Sequence, residues 1–96
     1  MPTLRTLYTK PQFIEFVDLL DEFDWHGFYK EVGLVHEYDI EAKYIWEFYK
    51  KNQKIGVEDL ANNIQHVYAN MLMCIPPWEE CLECSEKFLS IMRRDK

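Results

Sequence analysis

The chain is predicted to be all-α: a compact bundle of four to five short helices with no significant β-sheet. Three observations predict this. Large apolar residues recur at three- and four-residue spacings in separate stretches of the 96 residues, the signature of one-sided helices. No stretch alternates apolar with polar residues, and no Asn-Gly hairpin turn is present. The periodic stretches are separated by helix-ending signals, among them "KNQKIG" and Pro76-Pro77.

The first strong helix follows Thr9, an N-cap candidate with Gln12 at capping-box spacing and Pro11 in the first turn. Phe13, Phe16, Val17, Leu20 and Phe23 share its inner face. Continuing that phase would bury Asp24 and Gly27. The apolar set instead restarts one step out of phase at Trp25, Phe28, Tyr29 and Val32. This predicts a break at Asp24, with Asp24 capping a short helix that ends at Gly33.

A third helix is expected from residue 36 or 39 to 52, with Asp39 as N-cap and a stripe of Tyr44, Ile45, Phe48 and Tyr49, leaving Trp46 pointing elsewhere. After the polar turn, Val57, Leu60, Ala61, Ile64, Val67, Tyr68, Met71 and Leu72 form the clearest amphipathic pattern in the chain, ended by the two prolines. The last helix begins at Pro77 or Trp78. Glu79, Glu80 and Glu83 lie near its start and Arg93, Arg94 and Lys96 near its end, the order the helix dipole favours. Trp78, Cys81, Leu82, Ser85, Phe88, Leu89 and Met92 fall on one face. The whole chain, 1–96, reads as one helical domain with residues 1–8 as a loose N-terminal arm.

The composition narrows function. Net charge is −6. Residues 34 to 56 carry four basic and four acidic groups, so the negative charge lies toward the two ends of the chain. Such a field repels phosphates and attracts basic proteins. The segment "KIGVEDLANNIQHVYANM" is similar to one half of a helix-turn-helix unit and would present Asn62, Asn63, Gln65, His66 and Asn70. It has no Lys or Arg between residues 55 and 86 to hold phosphates, so it reads as helical packing. A helix-turn-helix-like accessory module is the weaker alternative.

The cysteines are Cys74, Cys81 and Cys84. Cys81 and Cys84 form a C-x-x-C pair, but no second pair or H-x-x-H completes a zinc set. Nearby glutamates oppose a redox thiolate. The expectation is structural thiols, with Cys81 in the core and Cys84 near its edge, and no cofactor or metal. A zinc-binding module remains an alternative. The three histidines, at 26, 36 and 66, do not form an i, i+4 pair. No glycine loop cradles phosphate, and paired acids such as Asp21-Glu22 and Glu79-Glu80 suit a solvated face better than a catalytic cleft. The chain is therefore not expected to be an enzyme. The opening "MPTLRTLYTK" has no apolar export core, and the odd cysteine number argues against a disulfide framework. The cytoplasm is the expected compartment.

These readings favour a small acidic binding protein. It would dock on a basic macromolecular partner, such as a nuclease, toxin or nucleic-acid-binding protein, and inhibit or neutralise it in the manner of immunity proteins and phage inhibitors. The expected partner-binding residues are Asp21, Glu22, Asp24, Trp25, His26, Tyr29, Glu31 and Trp46. The alternative is a homodimeric assembly or adaptor protein with its surplus aromatics at the subunit interface. Neither direct nucleic-acid contact nor a membrane is expected.

Overall fold

The computed structural model describes residues 3–27, 33 and 37–94. Among these, the helices are α1 (Leu4–Leu7), α2 (Pro11–Phe23), α3 (Asp39–Lys51), α4 (Val57–Leu72) and α5 (Trp78–Arg93). No described residue is in a strand. The four longer helices form a square: α2 packs on α3, α3 on α4, α4 on α5 and α5 back on α2. The α2–α5 side of the bundle is therefore opposite the α3–α4 side.

Aromatic rings fill the centre. Phe88 of α5 is the hub, with centroids 4.4 Å from Phe16 and 5.3 Å from Tyr49. Trp46 meets Phe13 edge-on at 5.5 Å and Phe88 at 6.5 Å. Such edge-to-face pairs each add about 0.5–1.5 kcal/mol beyond area burial. Polar side chains tie the helices at their ends. Ser85 donates to the Val57 carbonyl at 2.8 Å, and Gln12 donates to the Ile91 carbonyl at 3.0 Å. Arg93 donates to the carbonyls of Gln53 and Ile55 in the α3–α4 turn. Arg94 pairs with Glu15 of α2. These contacts explain how Ser85 sits on the buried face: its hydroxyl is satisfied.

Several local expectations change. The α2 N-cap is Lys10, with Pro11 as first helical residue. Thr9 instead donates to the Thr6 carbonyl at 2.6 Å, and Gln12 is committed to α5. Tyr38 occupies the α3 N-cap position, and Asp39 accepts a hydrogen bond from Tyr8 at 3.1 Å. The buried stripe of α3 is Ala42, Ile45, Trp46 and Tyr49, so Trp46 faces inward and Tyr44 outward. Helix α4 stops at Leu72, before the prolines. Met73 takes a left-handed conformation (φ 52°) and its N–H reaches back to the Tyr68 carbonyl, a six-to-one closure of the last turn, with the Cys74 N–H also directed to that carbonyl at 3.3 Å.

Residues 3–8 are not a loose arm. Thr3 caps α1 by accepting from the Thr6 N–H, α1 packs on α3, and Leu7 is completely buried. Leu7→Ala should therefore cost about 2–5 kcal/mol, the range for emptying a buried leucine site. Urea unfolding measures it. A loss below about 0.5 kcal/mol, the usual size of a surface change, would mean that the segment does not contribute to the core.

Candidate functional site

The acidic-aromatic corner begins where α2 ends. Asp24 adopts a left-handed backbone (φ 49°), and its N–H donates to the Leu20 carbonyl at 2.9 Å. Non-glycine residues seldom adopt this conformation, and Asp is among the types that tolerate it. Its side chain is buried and accepts from the Tyr38 hydroxyl at 2.7 Å. The Tyr38 oxygen in turn accepts from the His26 N–H at 3.1 Å. The reversal lays Trp25 flat against Phe23, with centroids 4.9 Å apart, and edge-on against Tyr68, also at 4.9 Å.

Trp25 then ties two acidic helix ends together. Its indole N–H donates to Glu80 Oε1 at 2.7 Å, and its carbonyl accepts from the Cys74 thiol at 3.4 Å. The C-terminal turn of α2, with Glu22, thus meets the first turns of α5, with Glu79, Glu80 and Glu83, while Asp21 lies on the flank toward Tyr8, near enough to act on that phenol. Glu22, Glu79, Glu80 and Glu83 are exposed, and Asp21 is half-buried. Trp78 opens α5 with 41% of its surface exposed. Lys87 lies 3.1 Å from Glu83 and 5.8 Å from the Phe23 ring centroid.

The structure thus gathers part of the expected site and removes part. Glu22, Trp25 and His26 share the corner, with Trp25 half-buried and His26 exposed, and Asp21 lies on its flank. Asp24 is not a surface acid, because it is buried against Tyr38. Trp46 cannot meet a partner, because it is 3% exposed in the centre of the core. Tyr29 and Glu31 lie outside the described residues, as does most of the helix expected to end at Gly33. Sequence reasoning missed Glu79, Glu80, Glu83 and Trp78 as part of the same surface. The available signal was the position of Trp78: it is the first residue of α5, ahead of the buried run that starts at Cys81.

The cysteines and α4 offer less. No group of three or more metal-ligating side chains occurs among the described residues. Cys84 is fully buried rather than at the core's edge. Burial pushes the Cys81 thiol up to about 11 and the Cys74 and Cys84 thiols upward as well, away from reactive thiolate chemistry. On the polar face of α4, Gln65 donates to the Pro76 carbonyl at 2.9 Å, and His66 Nδ1 lies 3.0 Å from the Asn62 carbonyl oxygen.

Beneath the corner sits Glu41, 4% exposed in the first turn of α3. Its Oε1 and the hydroxyl of fully buried Tyr68 have no hydrogen-bond partner among the described residues. Burial is the main force raising the Glu41 carboxyl above its usual range, with Asp39 and Glu37 adding to the rise. Its own backbone N–H and His26 oppose the rise. Burial likewise raises the Tyr68 phenol, with Cys84 and Glu41 adding to it.

Compared with protein-family models, with curated proteins and with solved structures, the chain has no significant match.

The raised carboxyl has a definite pH signature. A group whose folded pKa exceeds its unfolded value contributes fully below the unfolded value of 4.5 and loses that contribution as pH rises through the folded one. Glu41→Gln should therefore be more stable than the parent at pH 7. Its advantage should shrink toward zero as pH falls below 4.5. Paired urea titrations across this range measure the difference and cancel the other carboxylates. A variant equally stable at both pH values would exclude a strained Glu41.

Proposed function

We propose that this protein is a small acidic helical binding module, not a catalyst. It acts in the cytoplasm by docking on a basic macromolecular partner and neutralising it. The reading rests on one observation above all. Acids from sequence-distant helix ends, Glu22 on α2 and Glu79, Glu80 and Glu83 on α5, are brought together by the Trp25–Glu80 hydrogen bond, with Trp78 exposed in the first turn of α5. Converging carboxylates speed encounter with a cationic surface, and a large aromatic held at its edge supplies the short-range anchor. Carboxylates in this arrangement can occupy the places that phosphates take on a nuclease, toxin or nucleic-acid-binding protein, as immunity proteins and phage inhibitors do as classes. The thiols give further support for a cytoplasmic setting. Cys74, Cys81 and Cys84 are free, and no helix among the described residues is long and apolar enough to cross a membrane.

Affinity capture from lysate tests the proposal, combined with a triple charge reversal of Glu22, Glu79 and Glu83 to lysine. The parent should retain a basic protein whose association weakens with added salt. The variant should associate at least about tenfold more slowly at low salt, since steering charges act chiefly on the on-rate. Its circular dichroism should be unchanged, because all three side chains are exposed. A partner whose binding ignores both salt and the reversal would refute the proposal.

A further inference from the structure

The connection from α4 to α5, residues 73 to 77, carries apolar side chains that the core does not use. Met73 is 92% and Ile75 74% exposed, and Trp78, which follows the two prolines, is exposed beside them in sequence. The backbone that bears them is fixed. Gln65 of α4 donates to the Pro76 carbonyl, the Cys74 thiol donates to the Trp25 carbonyl, and Pro76 is fully buried. Two consecutive prolines restrict rotation further. Met73 also holds a left-handed conformation that glycine would adopt without strain. A thioether almost wholly in water adds nothing to the core in return for that strain, which directs attention to what its side chain meets outside.

Acids border these residues. Glu79 and Glu80 are exposed in the same turn as Trp78, and Glu83 lies one turn further along α5. The Trp25 indole holds Glu80 beside the end of α2 that carries Glu22. From Met73 to Glu86 the chain has no Lys or Arg, and Lys87 is engaged with Glu83. On the α4 side, Ile75 borders a hollow of about 180 Å³ walled by Gln65, His66 and Ala69, on a helix that also has no Lys or Arg.

We infer that this surface seats a basic amphipathic helix of the partner, with its apolar face on Met73, Ile75 and Trp78 and its lysines and arginines against Glu79, Glu80 and Glu83. The inference rests on the acidic-surface reading above and names the kind of segment that reading requires. Charge complementarity selects the occupant. A second copy carrying −6 would bring its own acids to the contact, and anionic lipid headgroups would be repelled in the same way. A basic amphipathic helix meets both the apolar side chains and their acidic border. Met73 adapts its shape to what it touches, Trp78 can receive a cation over its ring, and the hollow beside Ile75 has room for an inserted side chain. The groove on the other side, walled by Tyr44 and Phe48 of α3 and Val67 and Met71 of α4, lacks this combination. Its acceptors Glu47 Oε2 and Asn63 Oδ1 are sealed from solvent and closed to a docking chain.

Binding kinetics with two synthetic peptides test it: a helix of leucine and lysine with its leucines on one face, and a serine–lysine peptide of equal charge. The full chain should bind the leucine–lysine helix at least about tenfold more tightly than the serine–lysine peptide. Met73→Gly should unfold at the same or a higher urea concentration, because it relieves the left-handed strain, yet release the leucine–lysine helix faster. Combined with Ile75→Ser it should release that helix at least about tenfold faster, with unchanged circular dichroism and unchanged binding of the serine–lysine peptide. Reversing Glu22, Glu79 and Glu83 to lysine should instead slow association of both peptides. Release indifferent to the Met73 and Ile75 changes, with association still slowed by the reversal, would overturn the inference and leave the acidic reading standing. Indifference to both sets would remove both. Binding to phosphatidylcholine vesicles, or a concentration-dependent dimer in sedimentation velocity, that is lost in the Met73→Gly, Ile75→Ser variant would assign the surface to a membrane or to a second copy, and either result overturns the inference.

Discussion

Asp24 and Tyr38 set the course of the chain. A carboxylate removed from water costs several kcal/mol unless it is hydrogen-bonded. Asp24 tolerates burial because the Tyr38 hydroxyl, itself buried, reaches it at 2.7 Å. The same residue ends α2 in a left-handed turn. If the helix continued, Trp25 would leave the face that holds Phe23 and project away from it. The turn instead stacks Trp25 on Phe23 and brings its indole to Glu80. The Asp24 turn, with its buried hydrogen bond, thus joins the end of α2, the ring that covers Tyr68 and the two acidic helix ends.

That bond also shows why part of the site was illegible in the sequence. Asp24 stands among four other acids within "DLLDEFDWHGFYKE", and nothing local separates it from Asp21 or Glu22. Its partner lies fourteen residues away, at the N-cap of α3. The phase slip at that position was legible, because Trp25 fails to continue the stripe of Phe13, Phe16 and Leu20. Its consequence was not, because a slip in spacing does not say whether the residue at the join turns inward or outward.

Helix α3 shows the second limit. It carries two apolar rows, Ile40–Tyr44–Phe48 and Ala42–Ile45–Trp46–Tyr49, and helical periodicity is consistent with burying either. The core chose the second, because Phe13 and Phe88, supplied by α2 and α5, receive Trp46 edge-on. Ala42, the small member of that row, adds little to a hydrophobic pattern yet lets the helix approach closely enough to be fully buried. In α4 and α5 the inner faces are more legible. There Leu60, Ala61, Ile64 and Tyr68, and Cys81, Ser85, Phe88 and Leu89, dominate a single stripe. Met71 and Trp78, exposed despite their spacing, sit at the margins, where spacing alone cannot tell a core edge from an exposed surface, and Cys84, expected at the edge, is fully buried.

The square arrangement keeps two kinds of surface apart. The α2–α5 side carries charge, whose influence reaches outward into solvent. The α3–α4 side carries apolar walls and shielded acceptors, whose influence ends at contact. Surface charges are screened over about 8–10 Å at ordinary salt, and even the smallest extent of the molecule is 22 Å. The acids of the α2–α5 side therefore lie more than a screening length from the opposite side. Each side acts on its own surroundings, the first through charge that steers from a distance and the second through packing that works only at contact.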